Sequence, residues 1–380
     1  MNFPEYRLAS YQQQTGPQTR FAMGGSAPAP MSLSELLALA SDDERSWWDE
    51  FSLGYTPGQG SEDLREVIAG LYPGLAAENI LVTAGALEAI TIAYHAVLNP
   101  GDNVQIITPV FEPLAIVAES IGANLNRVAL LKSSPKSSSI SSGQWQLDMD
   151  DWLDNLLPTT KMVTLNFPHN PTGAMISQLQ QQVIIDSCRD YGCWLFSDEV
   201  FRGLEQSSRD RLPAVASVYE KGISLGVMSK AFGLGGVRVG WIACQDKNLL
   251  NRMQQIKSFL SICNGRADEI LSKIAINHVK EIRARNNALL QDNLTLIDQT
   301  KDKLAEFLRW YQPQAGCVAF PEIIKNYETG RFLAKNLLHN TGVNVVPGDC
   351  FLQGEKHIRV GFGQKEFAKT WQLFSEYLLK

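Results

Sequence analysis

Residues 226–241 read GVMSKAFGLGGVRVGW. An apolar run, ISLGVMS (223–229), ends on Lys230. A glycine-rich loop follows, then a second apolar run, VRVGWIAC (237–244), which holds Arg238 near its start. Both runs have the length and composition of buried strands. A lysine against apolar strand ends loses its proton readily and becomes an amine nucleophile. An arginine in a glycine-rich setting suits a phosphate dianion.

Moving outward from this stretch, the same alternation recurs. NILVT (79–83), NVQIIT (103–108), KMVTLNF (161–167) and CWLFSDEV (193–200) read as further strands. Helical spacing lies between them, as in SEDLREVIAGLY, with Ser61 as a plausible N-cap, and GALEAITIAYHAVL (85–98). Strands separated by helices predict an α/β fold with a mostly parallel sheet flanked by helices. From Asp246 to about Arg309 the spacing predicts mostly long helix, and beyond Gly316 shorter pieces suggest a smaller α/β domain. The division expected is an N-terminal arm (1–45), a large domain (46–265), and a linking helix with a small C-terminal domain (266–380). The Ser-rich segment at 132–144 reads as a flexible surface loop.

Composition narrows the function. Hydrophobic residues make up 44% and charged residues 19%, an ordinary globular balance. A net charge of −6 argues against nucleic acid or an anionic membrane as the partner. No apolar stretch reaches bilayer-spanning length, and the N-terminus lacks the charged start and apolar core of a signal peptide. The six cysteines are scattered, without metal-like spacing. A cytoplasmic protein with reduced thiols and no structural metal is expected.

In open α/β sheets ligands sit at the carboxyl ends of strands. After NILVT, Gly85 with Ala86 and Leu87 offers either a backbone anion cradle or an ordinary tight turn. After NVQIIT, Phe111 stands between prolines, where it could stack on a planar ligand or pack in the core. After KMVTLNF, Asn170 precedes Pro171, and its amide could meet a ligand or cap a helix. Asp198 and Glu199 end an apolar strand, where a carboxylate is costly without a cationic partner. A lysine nucleophile, a buried acid, an aromatic plate, an amide and a phosphate cradle together match what pyridoxal phosphate requires.

The chain resembles the class I/II aminotransferases, the aspartate-aminotransferase-like fold type I enzymes that use pyridoxal phosphate. The likeness runs from about Tyr55 to Phe362. It rests on YTPGQGSEDLR, VTAGALEA, TPVFEP, NFPHNPTG, SDEVF, SKAFGLGGVRVGW and VVPGDCF…HIRVGFG in that order. The resemblance implies that Lys230 carries the cofactor as a Schiff base and moves the proton. Asp198 would keep the pyridine nitrogen protonated, Asn170 would donate to the phenolic oxygen, and Phe111 would stack on the ring. Arg238, Ser229 and the backbone at Gly85, Ala86 and Leu87 would hold the phosphate. Arg359 would take the substrate α-carboxylate, with Asn170 beside it. Tyr55 would reach the phosphate of a neighbouring subunit, implying a homodimer with shared sites, unless it is simply a packed aromatic. Gly24 and Gly25 resemble the arm that closes over substrate.

The activity implied is transfer of an amino group between an amino acid and a 2-oxo acid by a ping-pong mechanism. The alternative is a lyase or cyclase of the same fold, like capreomycidine synthase or a C–S lyase, and the segment SDEVFRGLE keeps the cyclase in view. A non-catalytic regulator would need a DNA-binding domain, for which the arm is too short. His169 could touch substrate or be a loop histidine, Glu199 reads as a structural charge, and Trp47 and Trp48 read as dimer or core aromatics. Three positions depart from the family pattern. Phe201 stands where a tyrosine often donates to the phenolic oxygen, Val227 where a hydroxyl often binds the phosphate, and Ala86 and Leu87 offer no hydroxyl in the turn after Gly85. The lost phosphate ligands predict a cofactor held less tightly, and the lost phenolic donor leaves Asn170 to carry that contact alone.

Overall fold

In a computed structural model, which describes residues 3–133, 143–325 and 327–380, the alternation of runs becomes a seven-stranded sheet flanked by helices. In chain order its strands are β1 (Ile80–Thr83), β2 (Asn103–Thr108), β3 (Asn124–Ala129), β4 (Thr160–Leu165), β5 (Trp194–Asp198), β6 (Gly222–Val227) and β7 (Gly240–Cys244). Their spatial order is β1-β7-β6-β5-β4-β2-β3. All pairs are parallel except those of β7, which runs antiparallel to both β6 and β1. Residues of β1 and β6 are buried throughout, as expected for strands covered on both faces.

Six of these strands coincide with the apolar runs read from the sequence. The seventh, β3, does not. It lies at the sheet edge, and its NLNRVA sequence leaves Asn124 and Arg127 exposed, so it carries no apolar run to recognise. The helices include α1 (Arg7–Thr15), α2 (Ala86–Val97), α3 (Pro113–Ile121), α4 (Gln178–Tyr191) and α5 (Val279–Thr300). The long helix expected from Asp246 is instead three, Lys247–Lys257, Arg266–Asn277 and α5. The first break falls in SICNG, where Ile262 adopts a positive φ of 63° and Gly265 occupies the next N-cap position. Ser61 does precede its helix, but its hydroxyl makes no capping bond. Instead its backbone N–H donates to Glu269 Oε2 at 3.3 Å.

Toward the C-terminus, β8 (Val318–Ala319), β9 (Val346–Pro347) and β10 (Ile358–Gly361) form a small antiparallel sheet in the order β8-β10-β9. The N-terminal segment is tied to this region. Phe21 and Ala22 pair in parallel with Val343 and Asn344, and the Gly361 N–H donates to the Met23 carbonyl at 2.6 Å. Within the Ser-rich segment, residues 134–142 lie outside the described residues. All six cysteines are free thiols, and no helix is long and apolar enough to cross a membrane among the described residues.

Candidate active site

The carboxyl ends of the parallel strands gather the side chains of interest. Asp198 closes β5, Lys230 follows β6 by three residues, and Asn170 follows β4 in the turn 166–173. Arg238 reaches the same edge for a different reason. It precedes β7, and because β7 runs against its neighbours, its first residue pairs with the last residues of β6 and β1 (Gly240 with Val227 and with Thr83).

Gly85, Ala86 and Leu87 open α2, whose first-turn N–H groups have no intrahelical acceptors. Gly85 has φ +88°, and a Cβ there would sit 2.6 Å from Arg238 Nη2. Only glycine therefore lets the guanidinium lie against this helix N-terminus, where backbone donors and cation face one space. Arg238 itself is held at φ +50°, a left-handed conformation uncommon for a side-chain-bearing residue, and it is exposed. Arg238 and the start of α2 together have the makings of a dianion site.

Burial governs the ionisation of the central groups. Asp198 is 2% exposed, and its Oδ1 accepts from the Val200 N–H at 3.2 Å. Desolvation pushes its carboxyl up to about 7, against the opposing pull of that N–H and of Lys230. Lys230 donates from Nζ to Ser26 Oγ at 2.9 Å. Its ammonium is pushed down to about 8, first by burial, with Arg359 and Arg238 adding to the shift while Cys317 and Asp198 oppose it. A substantial neutral fraction is thus available near neutral pH, unlike an exposed lysine.

Arg359, on β10, is 1% exposed, and burial lowers its pKa to about 10. Its Nη1 donates to Asn170 Oδ1 at 3.0 Å and its Nη2 to the Gly24 carbonyl at 2.6 Å. Its Nε is buried without a partner, and the guanidinium lies 5.0 Å from the Phe351 ring. A buried cation held only by neutral oxygens, with one donor idle, is arranged for an incoming anion. Because Asn170 spends its oxygen on Arg359, its Nδ2 remains as a donor with no partner among the described residues.

The remaining expectations divide. Phe111 is half-buried, its ring edge-on to Tyr6 at 6.3 Å. Ser229 is half-buried beside Lys230. Tyr55 is not brought to this site. It is 91% exposed, beside a separate hollow of about 480 Å³ that Trp47 and Lys273 also line, so it packs against no core of its own chain. His169 is buried, with Nδ1 2.8 Å from Thr172 Oγ1, so it braces the turn from inside. Glu199 accepts from the Val215 N–H at 3.0 Å and from Ser224 Oγ at 2.8 Å, as a structural carboxylate does. Trp47 and Trp48 are half-buried against the core.

Sequence reasoning missed three residues. Ser26 contacts the lysine from the arm, although Gly24 and Gly25 beside it were singled out. Asn166 joins two strand ends. Its Oδ1 accepts from the Asn170 N–H at 3.0 Å, and its Nδ2 donates to the Asp198 carbonyl at 3.0 Å. The signal was a polar residue closing an apolar run. Tyr6, in the N-terminal segment before α1, lies within electrostatic reach of Arg359, and nothing in its neighbourhood marked it.

The residues fit pyridoxal phosphate. The test is Asp198, a buried carboxylate lacking a cationic ring partner, together with the Gly85–Arg238 cradle that any Cβ would fill. Comparisons with known proteins agree with this chemistry. The chain is 28% identical to a capreomycidine synthase of Streptomyces vinaceus, covering 80% of this chain and 75% of that protein. It is 24% identical to an aspartate aminotransferase of Pyrococcus horikoshii, covering 83% and 80% respectively. Among solved structures, a PLP-dependent aminotransferase from Streptococcus suis superposes with a TM-score of 0.89 at 25% identity, covering 100% of this chain and 97% of that one. The structure of the PLP-dependent cyclase OrfR gives a TM-score of 0.88 at 24% identity, covering 100% and 98%. The model for aminotransferase class I and II matches residues 51–368, and the chain belongs to that family.

Proposed function

We propose that this chain is a pyridoxal-phosphate-dependent aminotransferase that moves an amino group between an L-amino acid and a 2-oxo acid in a ping-pong cycle. The observation that carries this reading is the meeting of Lys230 and Asp198, at the carboxyl edge of the large sheet, with Arg359 of the small sheet, each buried enough to be displaced from its ordinary pKa. Pyridoxal phosphate supplies a carbonyl carbon that condenses with amines and a ring that withdraws electrons from the substrate Cα. Lys230, with its amine poised near neutrality, attaches the cofactor and later moves the proton at Cα. With pyridoxal phosphate bound, Asp198 would face the ring nitrogen, and the pair of charges would keep the carboxylate ionised and the ring electron-poor. Arg238, Ser229 and the backbone N–H groups at Gly85, Ala86 and Leu87 take the phosphate. Phe111 would stack on the ring, and the free Nδ2 of Asn170 would donate to its phenolic oxygen. Arg359 grips the substrate carboxylate, with Asn170 fixing the guanidinium plane.

The exposed Tyr55 supports a homodimer in which it serves the neighbouring site. The proposal keeps an arm at 1–45, a large domain at 46–265 and a linking helix with a small domain at 266–380. It places the enzyme in the cytoplasm, in keeping with six free thiols. Incubating holoenzyme with single amino acids and a 2-oxo acid tests the reading. A 2-oxo acid matching the donor, together with an aminated acceptor, supports it, and no amino exchange with any pair refutes it.

A cyclase is the second reading, favoured by the similarity to a capreomycidine synthase. It differs in needing no acceptor. A ring-closed product formed from an amino acid with a nucleophilic side chain, without added 2-oxo acid, would select it.

A further inference from the structure

The segment SDEVFRGLE (197–205) leads away from the active site into a second constellation. Arg202 and Arg211, in and just after this segment, share the wall of a cavity of about 90 Å³ with Arg283 of α5. Arg202 pairs with Glu199 at 3.9 Å and donates from Nη1 to the Leu212 carbonyl. Arg211 pairs with Glu205 at 2.9 Å, and both oxygens of Glu205 also accept from the Gly203 N–H. Arg283 differs. Among the described residues it has no carboxylate within ion-pair distance, and its Nε is buried without a partner. Its guanidinium lies 5.8 Å from the Phe232 ring and directly against Gly203, whose φ of +101° and missing side chain permit the approach. Burial and the nearby Arg211 depress its pKa to about 10, as expected for a cation short of a counter-charge.

The charge count sharpens the point. Three guanidiniums meet only two carboxylates, Glu199 and Glu205, even with both ionised. The volume admits a few waters, or one small ion with water. The arginines stay partly open to solvent, 20% at Arg202 and 31% at Arg211, so an ion has a route in.

We infer that this cavity is a binding site for a small inorganic anion of the halide class, held by Arg283 and balanced by Arg202 and Arg211. The ion would tie the turn after β5, which carries Asp198, to helix α5. It would lie apart from the phosphate cradle at Arg238.

Anomalous scattering from holoenzyme crystals soaked in sodium bromide locates the ion. A bromide peak bounded by Arg283, Arg202 and Arg211 is the expected result. Water alone in the cavity, or bromide only at Arg359 or Arg238, overturns the proposal. In solution, holoenzyme is titrated with sodium chloride replacing sodium gluconate at constant ionic strength. The thermal midpoint should rise along a saturating curve. Arg283→Met should shift half-saturation to a concentration roughly tenfold higher or more. An identical curve in the variant overturns the assignment, and the wild-type crystal decides the matter if the variant does not fold.

Discussion

Lys230 and Lys257 are both lysines in apolar surroundings, and burial lowers the pKa of each. Their hydrogen bonding separates them. Lys257 is fully buried and held by two oxygens, with Nζ donating to the Gly58 carbonyl at 2.7 Å and to Asn264 Oδ1 at 3.0 Å. Asn264 in turn donates to the Thr83 carbonyl and accepts from Thr56 Oγ1 through its own carbonyl. Lys257 thus pins three chain segments together and has no freedom to react. Lys230 is half-buried and donates to a single serine from the arm. A depressed pKa alone would flag both lysines as functional. A single serine partner, against two oxygens from separate chain segments, distinguishes the one read as a nucleophile from the one that is a structural tie.

The strongest way to break this contrast is to remove each amine. Lys230→Ala should lower turnover about 10³-fold or more, the scale of a lost proton-transfer group, with little loss of stability. Steady-state assays of both variants check it, and an equal collapse of kcat in Lys257→Met would erase the distinction. Arg359→Lys keeps the charge but loses the two-pronged grip. It should reduce kcat/KM roughly 100-fold, because Asn170 Oδ1 and the substrate carboxylate would compete for one ammonium. Lys257→Met should show its effect in folding instead. Stranding the Gly58 and Asn264 oxygens should cost about 2 kcal/mol in urea unfolding, with kcat near wild type. The smallest effect concerns Val227, 3% exposed at the end of β6. Val227→Thr offers the hydroxyl that relatives often have, and cofactor release into buffer should slow about tenfold, followed by absorbance after gel filtration.

Much of this molecule was legible before its fold was known. The buried strands announced themselves as apolar runs because both sheet faces are covered, and the chemistry sat where those runs stopped. What stayed hidden was whatever depended on distant contacts. Strand β3 was missed because an edge strand needs no apolar alternation. Ser26 lies 204 residues from Lys230 in the chain, and only the docking of the N-terminal segment brings them together. The Gly24 carbonyl that holds Arg359 arrives the same way, from 335 residues away. Asn166 looked like the polar end of a strand, and its bridging of Asn170 to Asp198 required the register of β4 against β5. The anion cavity was invisible for the same reason, since Arg202 and Arg211 are local to one segment but Arg283 is not.

The most direct test of Lys230 as the reactive lysine is to reduce the holoenzyme with borohydride, digest it, and locate the trapped cofactor by peptide mass spectrometry. The expected result is a stoichiometric pyridoxyl phosphate adduct on the peptide containing Lys230 and an unmodified Lys257. An adduct on Lys257 or any other lysine, with Lys230 unmodified, would contradict it.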